Sequence, residues 1–558
     1  MSRYRLPLGP RDDQDDLAGD AAFTGVNMVD SPETLGPGYV REAVNHDFTR
    51  RSGDPRGGFV CLPQLAPGGV GTLYGEAVYV DIDTRLEWQA LMLQTSMVFF
   101  RQGSPLRTIA FPAGYTAGVE ICSLVQAQNR FYIFQRGVTP VVWNGDWSAA
   151  FVNVARTAYD VFKQIPNAFF GLYFQDRLWL PFDKDNFAVS LLSDFQLTDA
   201  TTGSFSVNSG AGDELVTIIP FGKQSMIIGK TRSITKLLGV TASLTNLVKD
   251  EVTRSHGFIA ARAVVQAGNR LYYLSSDRAL RALDLTMELD VAPVAEPVSA
   301  PIRPWMERIN WAVAWRSIMH HDEERLFLAV PMDGASAPNK IIVYNLVRQE
   351  FDGLWEFAAG FSPFFRGFAR LDVYGQRRLC ALTIEGRAFL LDEGEADVRG
   401  ANVWPIVSTL KTRGYMPNPR WSRGVLGEVQ LGTLAPSVTV SVETDGVAES
   451  TTIATGQTWD RTRSHYFGGV SDHLNSLGLA GAPGREDYAV VPGESDPAGI
   501  LIDVGVDLGL QQAHKLTRPL RTQGRWHGFT IVNTTGIAAV RQVGLLAREA
   551  DRAGRQPI

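Results

Sequence analysis

The chain has 558 residues, 45% hydrophobic and 20% charged, a balance that can bury sizeable cores and excludes global disorder. Its formal net charge of −6 argues against a protein that grips nucleic acid, because phosphate neutralisation with counterion release needs a basic surface. The 54 glycines and 29 prolines favour many short strands over long helices, and three cysteines without CxxC spacing (Cys61, Cys122, Cys380) read as buried thiols rather than a disulfide framework or zinc site.

The start, MSRYRLPLGPRDDQDD, has no apolar core of a secretory signal, and no run of about 18 apolar residues occurs anywhere, so a soluble product made in a cytoplasm with no membrane span is expected. Residues 1–20 are expected to be a polar arm. The carboxylates of DDQDD (12–16) lack the glycine and spaced oxygen ligands of a calcium loop and read as solvated. In SPETLGPGYVREAVN, Ser31 and Pro32 start a turn, and residues Tyr39 to Val44 are expected to form a short helix. Two locally basic stretches, TRRSGDPRGG (49–58) and RTQGRW (521–526), read as solvated loops.

From residue 97 a pattern recurs: about five residues of apolar alternation, a polar turn, and a second alternating run. The copies start at Met97, Arg130, Asp176, Lys223, Asn269, Glu324 and Gln376, so successive starts lie 33, 46, 47, 46, 55 and 52 residues apart. A four-stranded blade of a β-propeller takes about 40–50 residues, so a propeller of about seven blades over 60–395 is predicted, with two stacked β-sandwiches as the alternative. Between copies, 293–315 begins in proline and spaces Trp305, Ile309 and Val313 as a helix would. After Gly394 strand patterns resume in 404–446 and 500–549 around a Gly/Ser/Thr/Pro-rich stretch at 447–499. The fold expected is all-β: arm, helix and first strand (1–59), propeller (60–395), β-sandwich-like platform (396–549) with a long insertion at 447–499, and tail (550–558).

Catalytic chemistry is sought with little return. His320, His321, Asp322 and Glu323 stand together in HHDEE, but neighbours on a strand face opposite ways, so a charged loop is the simpler reading. Ser275-Ser276-Asp277 begins like the Asp box of sialidases, Ser-x-Asp-x-Gly-x-Thr-Trp, yet Ala279 replaces its glycine and Arg281-Ala282 its Thr-Trp. GxSxG, HExxH and GxxxxGK[ST] are absent, so the chain is read as a non-enzyme with no catalytic, cofactor or metal residue to name.

One resemblance covers most of the chain. FTGVNMVDSPETLGPGYVREAVNHDFTRRSGDPRGGF (23–59) resembles a bacteriophage tail pattern through Gly25, Val26, Asn27, Pro32, Leu35, Gly38, Asn45, Gly53, Arg56 and Gly58. LYFQDRLWLPFDKDNFAVSLLSDF and 255–283 resemble blades of the same family, with Arg278-Ala279 where a glycine is usual, and TQGRWHGFTIVNTTGIAAVRQVGLLARE resembles its closing strands. The chain is thus similar to the tail nozzle proteins (tail tubular protein B) of short-tailed phages and to the related packaged-DNA stabilisation proteins. That resemblance implies a structural virion protein of the tail: a homo-oligomeric, generally hexameric ring bound to a tail adaptor and to fibre or spike proteins. The ring would bound the channel for genomic double-stranded DNA, retain the packaged DNA and open for ejection. It assigns no channel-lining residue. The alternatives are a packaged-DNA stabilisation or head-completion protein, and, from another class, a carbohydrate-binding or glycan-cleaving propeller.

Overall fold

The structure is a computed structural model that describes residues 15–453 and 514–549, apart from 21, 63–69, 102–103, 119–121, 156–160, 193, 211, 242, 286–290, 374–375, 417–421, 432–437, 445–446, 520–522, 525 and 534–539. Most of the 447–499 stretch and the tail at 550–558 therefore lie outside the described residues. The chain divides into two compact units: one takes in residues up to Arg56, Glu350–Leu354 and the chain from Pro405 on, the other Gly57–Gln349 and Trp355–Trp404.

The second unit is a β-propeller. Six sheets stand as discrete blades: four-stranded antiparallel sheets at 75–110, 123–153, 172–206, 215–253 and 264–293, and a larger one built on 365–405. The remaining hairpin, the sixth in chain order (325–345), takes its place in the ring within a group of three strands, Ile318–Asp322, Arg325–Val330 and Lys340–Asn345, rather than as a discrete blade, so the expected count of about seven is close. In all seven hairpins the runs are strands, and the central ones are buried on both faces, alternate residues such as Phe131 and Tyr132 packing into cores on opposite sides of the blade. The cores lie between neighbouring blades: Tyr79, Phe99, Phe131 and Trp143 join the first and second, and Phe221, Ile227, Phe258 and Tyr273 the fourth and fifth.

The 33-residue interval has a structural cause. In the later blades the recurring hairpin is the second and third strands, but the copy at Met97 is the third and fourth strands of its sheet. The matching second strand is Glu87–Met92, 43 residues before the one that starts at Arg130, which restores the period.

The ring closes with a strand from the start of the unit. Val60–Cys61 inserts into the 365–405 sheet, antiparallel to Ala388–Leu390 and parallel to Ala396–Arg399. Phe59 is fully buried there, its ring edge-on to Trp355 and Phe357 at 5.9 and 4.9 Å.

In the first unit, Asp15–Asp20 pairs antiparallel with Val540–Glu549, so part of the expected arm at 1–20 is a strand; residues 12–14 of DDQDD lie outside the described residues. Residues Tyr39–Val44 are a strand too, not a helix. A β-bulge between Val40 and Glu42, opposite Lys411 and Thr412, leaves Val40 and Ala43 on the buried side. That spacing of three imitates a helical face. The strand is flanked by Leu354, parallel to Val44, and by Ser408–Thr412, which leads to His527–Asn533, Val438–Thr444 and Val447–Ile453. In 293–315 the α-helix is only Arg303–Glu307, with Trp305 buried, flanked by 3-10 turns at Ala300–Ile302 and Ala314–Arg316; Asn310 N–H donates to Pro331 O at 2.8 Å and draws the chain out of the α-helix before Val313.

Candidate functional site

Of the N-terminal residues that carry the phage-tail resemblance, all but Gly58 lie in the first unit, and several hold positions that suit their residue type. Gly25 and Val26 pair in parallel with Tyr39 and Val40. A Cβ on Gly25 would lie 2.7 Å from Cβ of Glu350, so a side chain there would push the strand away. Asn27 caps the next turn: its Oδ1 accepts the N–H groups of Val29 and Asp30 at 3.1 and 3.3 Å, and its Nδ2 donates to the Asp30 carboxylate at 2.9 Å. Pro32 follows in that turn, its carbonyl accepting from Gly414 N–H at 2.7 Å, and Leu35 is buried.

Asn45 is the centre of the motif. It holds φ 57°, a left-handed conformation that asparagine tolerates better than most residues, and it is buried. Its Nδ2 donates to Val407 O at 2.7 Å, its Oδ1 accepts from Arg56 Nε at 3.0 Å, and its backbone carbonyl accepts from Arg56 N–H at 2.9 Å. Arg56 is only 2% exposed, so the basic stretch at 49–58 is not simply a solvated loop: its last arginine locks the turn from inside. Between them, His46–Asp47 pairs with Asp54–Pro55, and His46 Nδ1 lies 3.2 Å from the carbonyls of both Gly53 and Asp54. Burial holds the His46 imidazole down at about 4, against smaller opposing effects of those carbonyls and Asp47. In the propeller unit, Gly58 has no room for a side chain, since a Cβ would sit 1.9 Å from Ala396 O.

Two further groups brace the first unit. Buried Asp20 accepts from Arg413 Nε and Nη2 at 2.9 and 3.2 Å, from Tyr415 O–H at 3.1 Å and from Gly38 N–H at 3.2 Å. Tyr39 O–H donates to Glu350, and that bond, with burial, pushes the phenol up to about 12. These are scaffold contacts that tie distant strands together.

The other candidates resolve as structure. His320 and His321 lie on the strand Ile318–Asp322 and not in a loop; His320 stacks on Phe368 at 6.0 Å while His321 Nε2 lies 2.9 Å from Glu323 O. Asp322 and Glu323 both pair with Arg370. Ser275-Ser276-Asp277 is a turn closed by Ser275 N–H to Ala279 O at 2.8 Å; Arg278, at φ 66°, takes the left-handed position where the resemblance has glycine, and Asp277 pairs with Arg281 at 2.6 Å. All three cysteines are free thiols: Cys122 and Cys380 are buried, Cys61 only half-buried, and burial pushes Cys380 up to about 12. Of RTQGRW, residues 521–522 and 525 lie outside the described residues. Among the described residues no cluster of three or more His, Cys, Asp or Glu is placed to hold a metal, and no helix is long and apolar enough to cross a membrane.

No protein-family model matches the chain, and no curated protein matches it. Among solved structures, the chain is similar to the crystal structure of a computationally designed protein, Ika8, at 9% identity and a TM-score of 0.32, covering 60% of this chain and 98% of that one.

Proposed function

We propose that this chain is a structural virion protein, a tail nozzle subunit of a short-tailed bacteriophage. Six copies would form a ring that extends the DNA channel below a tail adaptor, carries fibre or spike proteins, retains packaged DNA and opens for ejection. The observation that carries the reading is the N-terminal motif of the resemblance. Gly25, Asn27, Asn45 and Arg56 hold a parallel strand pair, a cap, a left-handed turn and a buried lock. Residues in such roles make a scaffold rather than a reactive centre. The acidic balance supports it as well, since a wall of net charge −6 lets a polyanion slide where a basic one would hold it. In this role the propeller forms the body of each subunit, the strands outside it meet neighbours and the adaptor, and loops, not blade strands, make the narrowest part of the channel.

Electron microscopy of the full chain, alone and mixed with the adaptor protein of the same phage, tests this. Sixfold rings are expected in at least the mixture; particles that stay monomeric in both would reject the nozzle role.

A further inference from the structure

Around the propeller axis the first strands of the sheets lie side by side, Gly75–Val80 next to Ser123–Ala127 and Phe365–Val373, and Ile318–Asp322 next to Val264–Ala267 and Phe365–Val373. Ring repetition runs these strands in one direction, so their starting ends gather at one mouth of the axis. Four charged residues occupy those starts: Glu76 is second in its strand, Arg366 second in its own, and Arg262 and Arg316 each stand two residues before theirs.

They meet there. Arg262 pairs with Glu76 and also donates through Nη1 to Arg366 O at 2.6 Å, while its carbonyl accepts from Met319 N–H at 2.9 Å. Arg366 is 8% exposed, and its Nε donates to Leu73 O at 2.8 Å. Arg316 donates through Nη1 to Ser336 O at 2.7 Å. The Arg316 guanidinium also lies over the Trp315 ring at 4.8 Å, and Glu76, the one carboxylate of the four, is engaged by Arg262. Among the described residues Arg366 makes no ion pair, and burial together with repulsion from Arg262 and Arg316 pulls its guanidinium down to about 10. An excess of buried positive charge is costly unless something negative compensates it.

We infer that this mouth of the propeller is a binding site for a small oxyanion, of the phosphate or carboxylate class, seated on the guanidiniums of Arg366 and Arg316 with Arg262 behind them. The planar guanidinium fork matches two oxygens of such an anion, which favours an oxyanion over chloride. The site would weld the first blade, the fifth blade, the 318–345 strands and the closing blade at the axis.

Titration calorimetry of the full chain with inorganic phosphate, at ionic strength matched by chloride, tests the site. One phosphate per chain is expected for the natural sequence. Arg316→Gln should weaken binding at least tenfold, and Glu76→Gln should tighten it, a gain that a damaged fold does not produce. Acetate in place of phosphate distinguishes the two oxyanion classes. No binding, equal affinity in all three proteins, or a phosphate soak that leaves only water beside Arg366 would overturn the inference.

Discussion

His46 and Gly58 show how single residues set the behaviour of the N-terminal motif. The buried His46 ring has a folded pKa of about 4 against 6.5 for a free histidine, so the unfolded chain binds more protons between those pH values. The stability tied to the neutral ring is complete above pH 6.5 and is lost as the pH falls through 4, about 3 kcal/mol in all. His46→Gln should flatten the stability–pH curve in that window by close to one proton, measured by urea unfolding at steps from pH 7 to pH 4. An unchanged slope would mean the ring is not the titrating group. At Gly58 the obstacle is backbone, Ala396 O, which cannot swing aside. Gly58→Ala should therefore destabilise by about 1–3 kcal/mol or more, visible as a lower melting temperature with the far-ultraviolet spectrum of strands retained.

Among the elements, the short strand Val60–Cys61 has an influence out of proportion to its length, because it supplies the closing sheet with a strand from the other end of the unit's chain. Leu62 N–H donates to Ala388 O at 2.9 Å, extending that pairing. Leu62→Pro removes this donor and leaves a carbonyl unpaired, which costs about 1–3 kcal/mol, and it should raise protease sensitivity around 57–62 before other blades are cut. Equal protection in the variant and the natural chain would show that closure does not depend on this strand. The elements also show where pattern reading worked and where it misled. All seven hairpins were legible because strands sandwiched between neighbouring blades bury both faces, which writes short apolar runs bounded by polar turns into the sequence. The segment Tyr39–Val44 was not, since a bulge gave it a helical burial spacing. Asp15–Asp20 hid its strand because a polar edge pairs through its backbone, which no side-chain pattern records.

For the whole molecule, the net charge of −6 leads to a prediction about DNA. Full-length protein should bind short duplex DNA weakly, if at all, at physiological salt, with no steep dependence of affinity on salt in a fluorescence anisotropy titration. Tight, strongly salt-dependent binding would contradict a passive channel wall.

The sequence by itself determined the class of fold, the hairpins and their period, the absence of known catalytic motifs, and the residues of the N-terminal motif, because alternation, turn chemistry and glycine spacing are local properties. Only the tertiary structure decided that the first recurring copy is displaced by one strand, that Arg56 is buried against Asn45, and that Arg262 ties Glu76 to Arg366. The physical reason is distance along the chain: 290 residues separate Glu76 from Arg366, and nothing local marks either as facing an axis that exists only when the ring has closed.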